Sequence, residues 1–338
     1  MVQTVTNGIG MQLQIAKNDQ LYYFEYDDEA PVHNIRRFNF TPAFAYIGGY
    51  GVLGSFNGLV CLHDCGYPTG YRICNPLTRE YVKLPEFKRD SRCIPWTRGF
   101  GYLPLSNEYK VVHIDMLRTD LNVVEVLVYT IGSGNGWRNV GRFDIQSGEA
   151  CVEDGVFVNG GLHLVETNEG RVFVFDLIEE KFCEPVSPPP LPPGSECCGC
   201  SPIGVLDGVL HYGIRYSCQI TNCLCYDIWP LKGKNDIRDT KEKVEQKPLG
   251  WSKEFGFPRR QPFAFTKSGG VLYFDYSSLR IYDAIASTSK ELVRFSEVGE
   301  IYPHKNTFVS LKELGEHDVK IMDSAKSIED RKPFFSAR

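Results

Sequence analysis

The sequence predicts an all-β protein, a six-bladed β-propeller of kelch-like repeat length closed with help from a C-terminal strand, and three observations carry that prediction. The 338 residues include 32 glycines, 20 prolines, 18 tyrosines and 21 phenylalanines, a mixture that favours strands and turns over helices. A hairpin unit recurs along the chain. Its turn anchors Asp19, Gly58, Asn107, Gly160, Gly208 and Gly270 are spaced by 39, 49, 53, 48 and 62 residues, a mean of about 50, near the blade periods of WD and kelch repeats. A length of this size fits either two domains or one large all-β domain built from repeats.

In each unit a strand ends at a turn of the Asn/Asp-Gly kind, an apolar strand follows, a third ends near Asn or Asp, and a fourth carries an aromatic. Asn-Gly and Asp-Gly suit a two-residue hairpin because both central positions need positive φ. The chain opens with a degenerate copy, L-Q-I-A-K-N-D-Q-L-Y-Y-F-E-Y, and the third copy replaces the tight turn with Pro104 to Asn107. The expected blades are 11–40, 49–87, 98–143, 151–187, 201–257 and 262–296, with a late strand at 307–311 closing the ring against the first. Four-stranded sheets this short cannot bury both faces alone, so stacking around a ring is the natural solution. Residues 1–311 therefore form the propeller domain and 312–338 a charged, flexible tail. The mixed-charge run 232–247 is an insertion in the fifth blade.

Lys and Arg number 37 against 42 Asp and Glu, a net charge of -5, which supplies no broad cationic field for nucleic acid or an anionic membrane. The uncharged stretch 38–63 contains Asn39, Pro42, Asn57 and five glycines, so it is no continuous apolar helix. The N-terminus lacks the pattern of a secretory signal, and a cytoplasmic or nuclear location with mostly reduced, buried thiols is expected. Gly49-Tyr50-Gly51-Val52-Leu53-Gly54 fits G-x-G-x-x-G but leads into a hairpin rather than a helix, so no dinucleotide or other cofactor is expected. Cys197, Cys198, Cys200, Cys218, Cys223 and Cys225 cluster in sequence with spacings that suit zinc poorly; no metal is assigned, and they read as structural thiols, the alternative being a metal site or a redox pair. Asp64, Asp115, Glu166, Asp207 and Asp275 stand at or near strand ends and read as solvated turn carboxylates, the alternative being the carboxylates of a carbohydrate-active propeller. His63, His163 and His211 recur at equivalent second-strand positions and point to blade packing, the alternative being a triad. Pro188 to Pro193 reads as a stiff inter-blade linker, the alternative being a polyproline ligand.

The strings G-S-F-N-G-L-V-C-L, I-C-N-P-L-T-R-E-Y-V-K-L-P, G-F-G-Y-L-P-L-S-N-E-Y-K-V-V and V-F-V-N-G-G-L-H resemble, in order and spacing, the plant F-box-associated domain, and the resemblance covers roughly residues 15 to 311. It implies a propeller that selects a protein for ubiquitination while an N-terminal helical F-box docks on the ligase scaffold. No L-P-x-D or L-P-x-E motif with Leu-rich helices precedes Gly54, so the ligase scaffold is expected as a partner only if an F-box lies upstream, and residues 1–338 alone are expected not to bind the Skp-type adaptor. The reading is a non-catalytic protein-recognition module whose partner is a protein of unidentified sequence. A stand-alone interaction scaffold and a carbohydrate-active propeller are the alternatives. Inter-blade linkers and the loops between second and third strands share one side of a propeller, which places Tyr67, Trp96, Arg98, Tyr216, Arg259 and Arg260 on the expected partner-binding face; Trp, Tyr and Arg dominate interface energetics.

Overall fold

The computed structural model describes residues 9–15, 20–26, 36–37, 50–64, 70–146, 152–191, 195–197, 203–218, 223–232, 250–253, 255–257, 262–266, 270–275, 278–283, 286–294 and 300–322. Among these the regular structure is all β. Sheet 1 contains β1 (Ile9–Ile15), β2 (Gln20–Tyr26) and β3 (Arg36–Arg37); sheet 2 contains β4 (Tyr50–Phe56), β5 (Leu59–Asp64), β6 (Tyr71–Cys74) and β7 (Glu80–Lys83). Sheet 3 is β8 (Cys93–Leu103), β9 (Glu108–Leu117), β10 (Asp120–Thr130) and β11 (Trp137–Asp144), and sheet 4 is β12 (Val156–Val158), β13 (Gly161–Val165), β14 (Val172–Asp176) and β15 (Lys181–Phe182). Sheet 5 holds β16 (Ser195–Cys197), β17 (Ile203–Leu206), β18 (Val209–Cys218), β19 (Cys223–Lys232), β20 (Gly250–Trp251) and β21 (Phe255–Phe257). Sheet 6 holds β22 (Pro262–Phe265), β23 (Val271–Asp275), β24 (Ser278–Asp283) and β25 (Thr288–Arg294). Every pairing is antiparallel, and each hairpin unit expected from the sequence lies in its own sheet.

The last two strands correct the expected chain end. The strand that joins the first sheet is β26 (Glu300–His304), not 307–311: His304 stands opposite Gly10 and Glu300 opposite Gln14. Residues 307–311 instead lie across sheet 2 without strand pairing, because their backbone groups are bound by side chains. Asn75 Nδ2 donates to the carbonyls of Thr307 and Val309, and Glu80 accepts from the Leu311 amide. The expected division at 311 falls within packed structure. Glu316 is buried and accepts from the Gly132 amide at 2.7 Å, β27 (Lys320–Ile321) pairs with β7, and Met322 is 2% exposed. Residues 323–338 and the run 233–249 lie outside the described residues.

The turn chemistry explains the register. Asn57 and Gly58 have φ of 42° and 87°, Asn159 and Gly160 of 51° and 83°, Asp207 and Gly208 of 51° and 76°, the paired positive φ of a type I′ turn whose twist matches that of the strands it joins. The surroundings of these glycines differ. A Cβ on Gly208 would meet nothing within 4 Å, whereas one on Gly58 would overlap the Thr307 hydroxyl, which donates to the Asn57 carbonyl at 2.8 Å. Gly208→Ala is therefore expected to cost only the left-handed backbone penalty, about 1 kcal/mol. Gly58→Ala adds displacement of residue 307 to that cost. Denaturant midpoints measured side by side check the order, and equal midpoints would contradict it.

The core is laid down between neighbouring sheets. Leu59, Cys61, Tyr71 and Ile73 of sheet 2 meet Phe100, Tyr109 and Val111 of sheet 3, while Val112, Ile114, Val126 and Val128 from the other face of sheet 3 meet Phe157, Leu162, Leu164 and Phe175 of sheet 4. Sheets 4 and 5 join through Val158, Val165, Val172, Leu210 and Tyr212, and sheets 5 and 6 through Tyr226, Ile228, Val271 and Tyr273. Sheet 4 approaches β8 so closely that Cβ atoms on Gly99 and Gly101 would collide with Leu162, Phe157 and Leu177, which is why this strand reads G-F-G-Y. One edge strand of each sheet lies beside an edge strand of another: β26 and β4, β4 and β8, β8 and β12, β12 and β17, β17 and β22, β22 and β26.

Candidate functional site

Strands alternate in direction, so the turns between first and second strands lie at one end of the sheets, while the inter-sheet linkers and second-to-third-strand loops lie at the other. The loop end is where the sequence expects a partner to bind. Its structure is a set of buried charges, each held by another side chain. Asp64, at the end of β5, is 4% exposed and pairs with Arg72 of β6. Asp115, near the end of β9, is 2% exposed; it accepts from Arg89 Nε at 3.0 Å and from His113 Nε2 at 2.9 Å. The other ring nitrogen of His113 is hydrogen-bonded to the Tyr71 hydroxyl at 2.5 Å, and Arg89 Nη2 lies 2.8 Å from Nε2. Burial holds His113 below the usual imidazole range despite the carboxylate beside it, which keeps the ring neutral and able to donate to one neighbour while accepting from the other. Glu166, just past β13, is 2% exposed and accepts from Arg171 Nε at 2.8 Å.

These placements correct the expectation of solvated turn carboxylates for Asp64, Asp115 and Glu166. Each is removed from water, and a buried carboxylate keeps its charge where a cation and hydrogen bonds replace the lost hydration. Arg72 and Arg171 come from the same sheet as their carboxylates and Arg89 from the linker that enters the sheet of Asp115, so the pairs fasten strands and linkers together. Asp207 is exposed on its turn. The histidines divide into two positions: His163 and His211 stand third after their turn glycines, whereas His63 stands fifth, near the loop end.

Asp154 of the linker before β12 joins β8 of sheet 3 and β5 of sheet 2. It accepts from Arg98 Nε of β8 at 2.8 Å, and His63 Nε2 of β5 lies 3.4 Å from its other oxygen. Burial alone would raise the Asp154 carboxyl, but the hydrogen bond with His63 and the Arg98 charge together hold it below its ordinary value. Asp154 and Arg98 retain 37% and 27% side-chain exposure, so this pair presents both charges at the surface of the loop end.

Of the six residues expected at a partner face, Tyr67, Arg259 and Arg260 lie outside the described residues. Trp96 and Arg98 are both on β8. Trp96 falls at a β-bulge between Pro95 and Thr97 and packs against the core between sheets 3 and 4, its ring 6.1 Å from that of Phe173. Tyr216 is 9% exposed within the cluster joining sheets 4 and 5. Arg98 is thus the expected residue whose charged group stands partly open among the three described, and its partners Asp154 and His63 were not foreseen. Asp154 carried a usable signal, since it directly precedes the G-V-F-V that opens a unit. The pairing of Arg89 with Asp115 across 26 residues carried none. The linker into sheet 5 is tied down by Trp251, whose indole donates to the Ser187 carbonyl at 2.6 Å, immediately before the proline run.

Successive antiparallel sheets packed face to face, as sheets 2 through 6 are, define a β-propeller domain. Residues 14–189 match the F-box associated beta propeller domain, and the chain belongs to that family. Two relatives from Arabidopsis thaliana are F-box protein At3g07870, 27% identical over 70% of this chain and 57% of its own length, and F-box protein CPR1, 28% identical over 82% of this chain and 76% of its own. The chain thus spans little more than half of the first. Among solved structures, a β-propeller domain of Myceliophteria thermophila Cps50 (Swd1) covers 87% of this chain and 88% of its own at 10% identity and a TM-score of 0.39.

Proposed function

We propose that this domain is a protein-recognition module without catalysis of its own, that its six sheets form one closed ring, and that a protein partner binds the end where linkers and second-to-third-strand loops gather. The observation that carries the reading is the frame at that end: Asp64, Asp115 and Glu166 are each held by an arginine, which fixes the bases of the loops and leaves these acids committed to structure. A rigid frame under variable loops suits recognition. Because the relatives are F-box proteins, we further propose that the bound protein is a substrate for ubiquitination by a ligase that such a protein joins, in the cytoplasm or nucleus.

The test is affinity capture with three forms of the chain: wild type, a loop-end variant combining Arg98→Glu with Arg259→Glu and Arg260→Glu, and an opposite-end variant, Leu105→Ser. Leu105 is fully exposed on its turn, so this change leaves the fold intact. Proteins held by wild type and by Leu105→Ser but lost by the triple variant are the expected outcome. Charge reversal of an anchoring arginine costs roughly 2 kcal/mol or more of binding, about thirtyfold. Capture undiminished by the triple variant would reject this choice of face.

A further inference from the structure

Four cysteines of sheet 5 fall on one face of it. Along the pairing of β16 with β18, Ser195 stands opposite Cys218 and Cys197 opposite Tyr216; along the pairing of β18 with β19, Cys218 stands opposite Cys223 and Tyr216 opposite Cys225. Cross-strand partners share a face and successive residues alternate. Cys197, Cys218, Cys223 and Cys225 therefore take register positions on the same face of the ladder as Tyr216.

We propose that Cys218 and Cys223 form a reversible disulfide that closes the β18–β19 hairpin at the loop end of the domain. Direct antiparallel partners have Cα atoms roughly 4.5 to 5.5 Å apart, inside the span of about 4.4 to 6.8 Å that a disulfide bridges. The other combinations fit less well. Cys218 with Cys225 or with Cys197 is a diagonal relation of about 7 to 8 Å. Cys197 and Cys225 have β18 between them, which sets them about 10 Å apart. Four thiolates so spread do not converge on one tetrahedral ion with metal–sulfur distances near ~2.3 Å. The chemistry is thiol–disulfide exchange with a small-molecule disulfide such as oxidised glutathione. One cysteine thiolate attacks that disulfide and releases a thiol, and the second attacks the mixed disulfide and releases another. The two cysteines are oxidised, the reagent is reduced, and the two protons end on the released thiols. Elsewhere in the chain, burial pushes the Cys61 and Cys74 thiols well up, which leaves them poor nucleophiles.

The test is to treat the folded chain with oxidised glutathione, block the remaining thiols with an alkylating reagent, and map the tryptic peptide 216–232, which carries Cys218, Cys223 and Cys225. The expected peptide is lighter by two hydrogens and is alkylated at Cys225 alone, and a dithiol reductant restores alkylation at all three. Cys218→Ser and Cys223→Ser, each shown to be folded by its melting curve, should instead leave the surviving partner carrying one glutathione. Three alkylated cysteines after oxidation would overturn the proposal, as would a crosslink to the peptide carrying Cys197, Cys198 and Cys200. So would stoichiometric zinc released when the thiols of the reduced protein are blocked, which would make the cluster a metal site.

Discussion

Asn75→Ala is expected to destabilise the domain by about 3 kcal/mol or more, since each buried polar group left unpaired costs roughly 1 to 3 kcal/mol. Asn75 is fully buried and uses both ends of its amide. Nδ2 donates to Thr307 O at 3.0 Å and Val309 O at 2.7 Å, and Oδ1 accepts from the Leu77 amide at 2.9 Å. Truncation leaves two carbonyls and one amide without those partners, the Thr307 carbonyl fully buried and the other two groups part-buried. The loss spreads along the C-terminal segment, because the same segment is held by Glu80 through Ser310 and Leu311, by Gly132 through Glu316, and by Arg79 through Met322. The denaturant midpoint should fall and proteases should cut between residues 305 and 322 before the sheets open. Asn75→Asp is the sharper control: it keeps the volume and the bond to Leu77 but turns an oxygen toward two carbonyl oxygens, and it should be no more stable than the alanine variant. A midpoint for Asn75→Asp equal to wild type would show that the amide is not what fastens the segment.

That segment also marks where sequence reasoning reached its limit. The hairpin units were legible because their signals are local: Asn57-Gly58, Asn159-Gly160 and Asp207-Gly208 announce turns within two residues, and period-two apolar runs such as Leu210, Tyr212, Ile214 and Tyr216 announce strands. Residues 305–322 have no such pattern. They are held by a side chain 232 residues away in sequence in the case of Thr307, and charge composition alone read the part beyond 311 as a tail. The late strand was displaced for a related reason, since E-I-Y-P-H at 300–304 includes a proline that lowers its strand signal, while Thr307–Leu311 looks more apolar. At the candidate site the same division holds. Tyr216 could have been assigned to the core, because it continues the alternation of Tyr212 and Ile214. The arginine partners of Asp64, Asp115 and Glu166 could not, because a carboxylate at a strand end reads alike whether water or a guanidinium faces it.

Acidification from pH 7.5 to pH 5 is expected to weaken the fold by several kcal/mol. Burial depresses both His211 and His304 to about 4, against an ordinary value near ~6.5 in the unfolded chain. A histidine whose folded pKa lies below its unfolded one binds its proton more readily when unfolded, so its contribution is complete above about pH 6.5 and is lost as the pH falls toward 4. At pH 5 each of the two should have given up about 2 kcal/mol, at 1.36 kcal/mol per pKa unit. Burial depresses His113 and His163 as well, which adds to the loss in the same direction. His211 is the cleanest probe. It is 1% exposed on β18 opposite Gly204 and Pro230, and neither ring nitrogen has a hydrogen-bond partner among the described residues, so a proton gained there is met by no acceptor. His211→Leu removes the titrating group and an unpaired polar ring in one step. Its denaturant midpoint should depend less on pH than that of wild type, and its advantage should grow as the pH drops from 7.5 to 5. Parallel pH profiles for the two proteins would mean that His211 gains its proton in the folded state at no cost, and hence that the ring reaches water by an opening of sheet 5 against sheet 6, whose core its face of β18 shares.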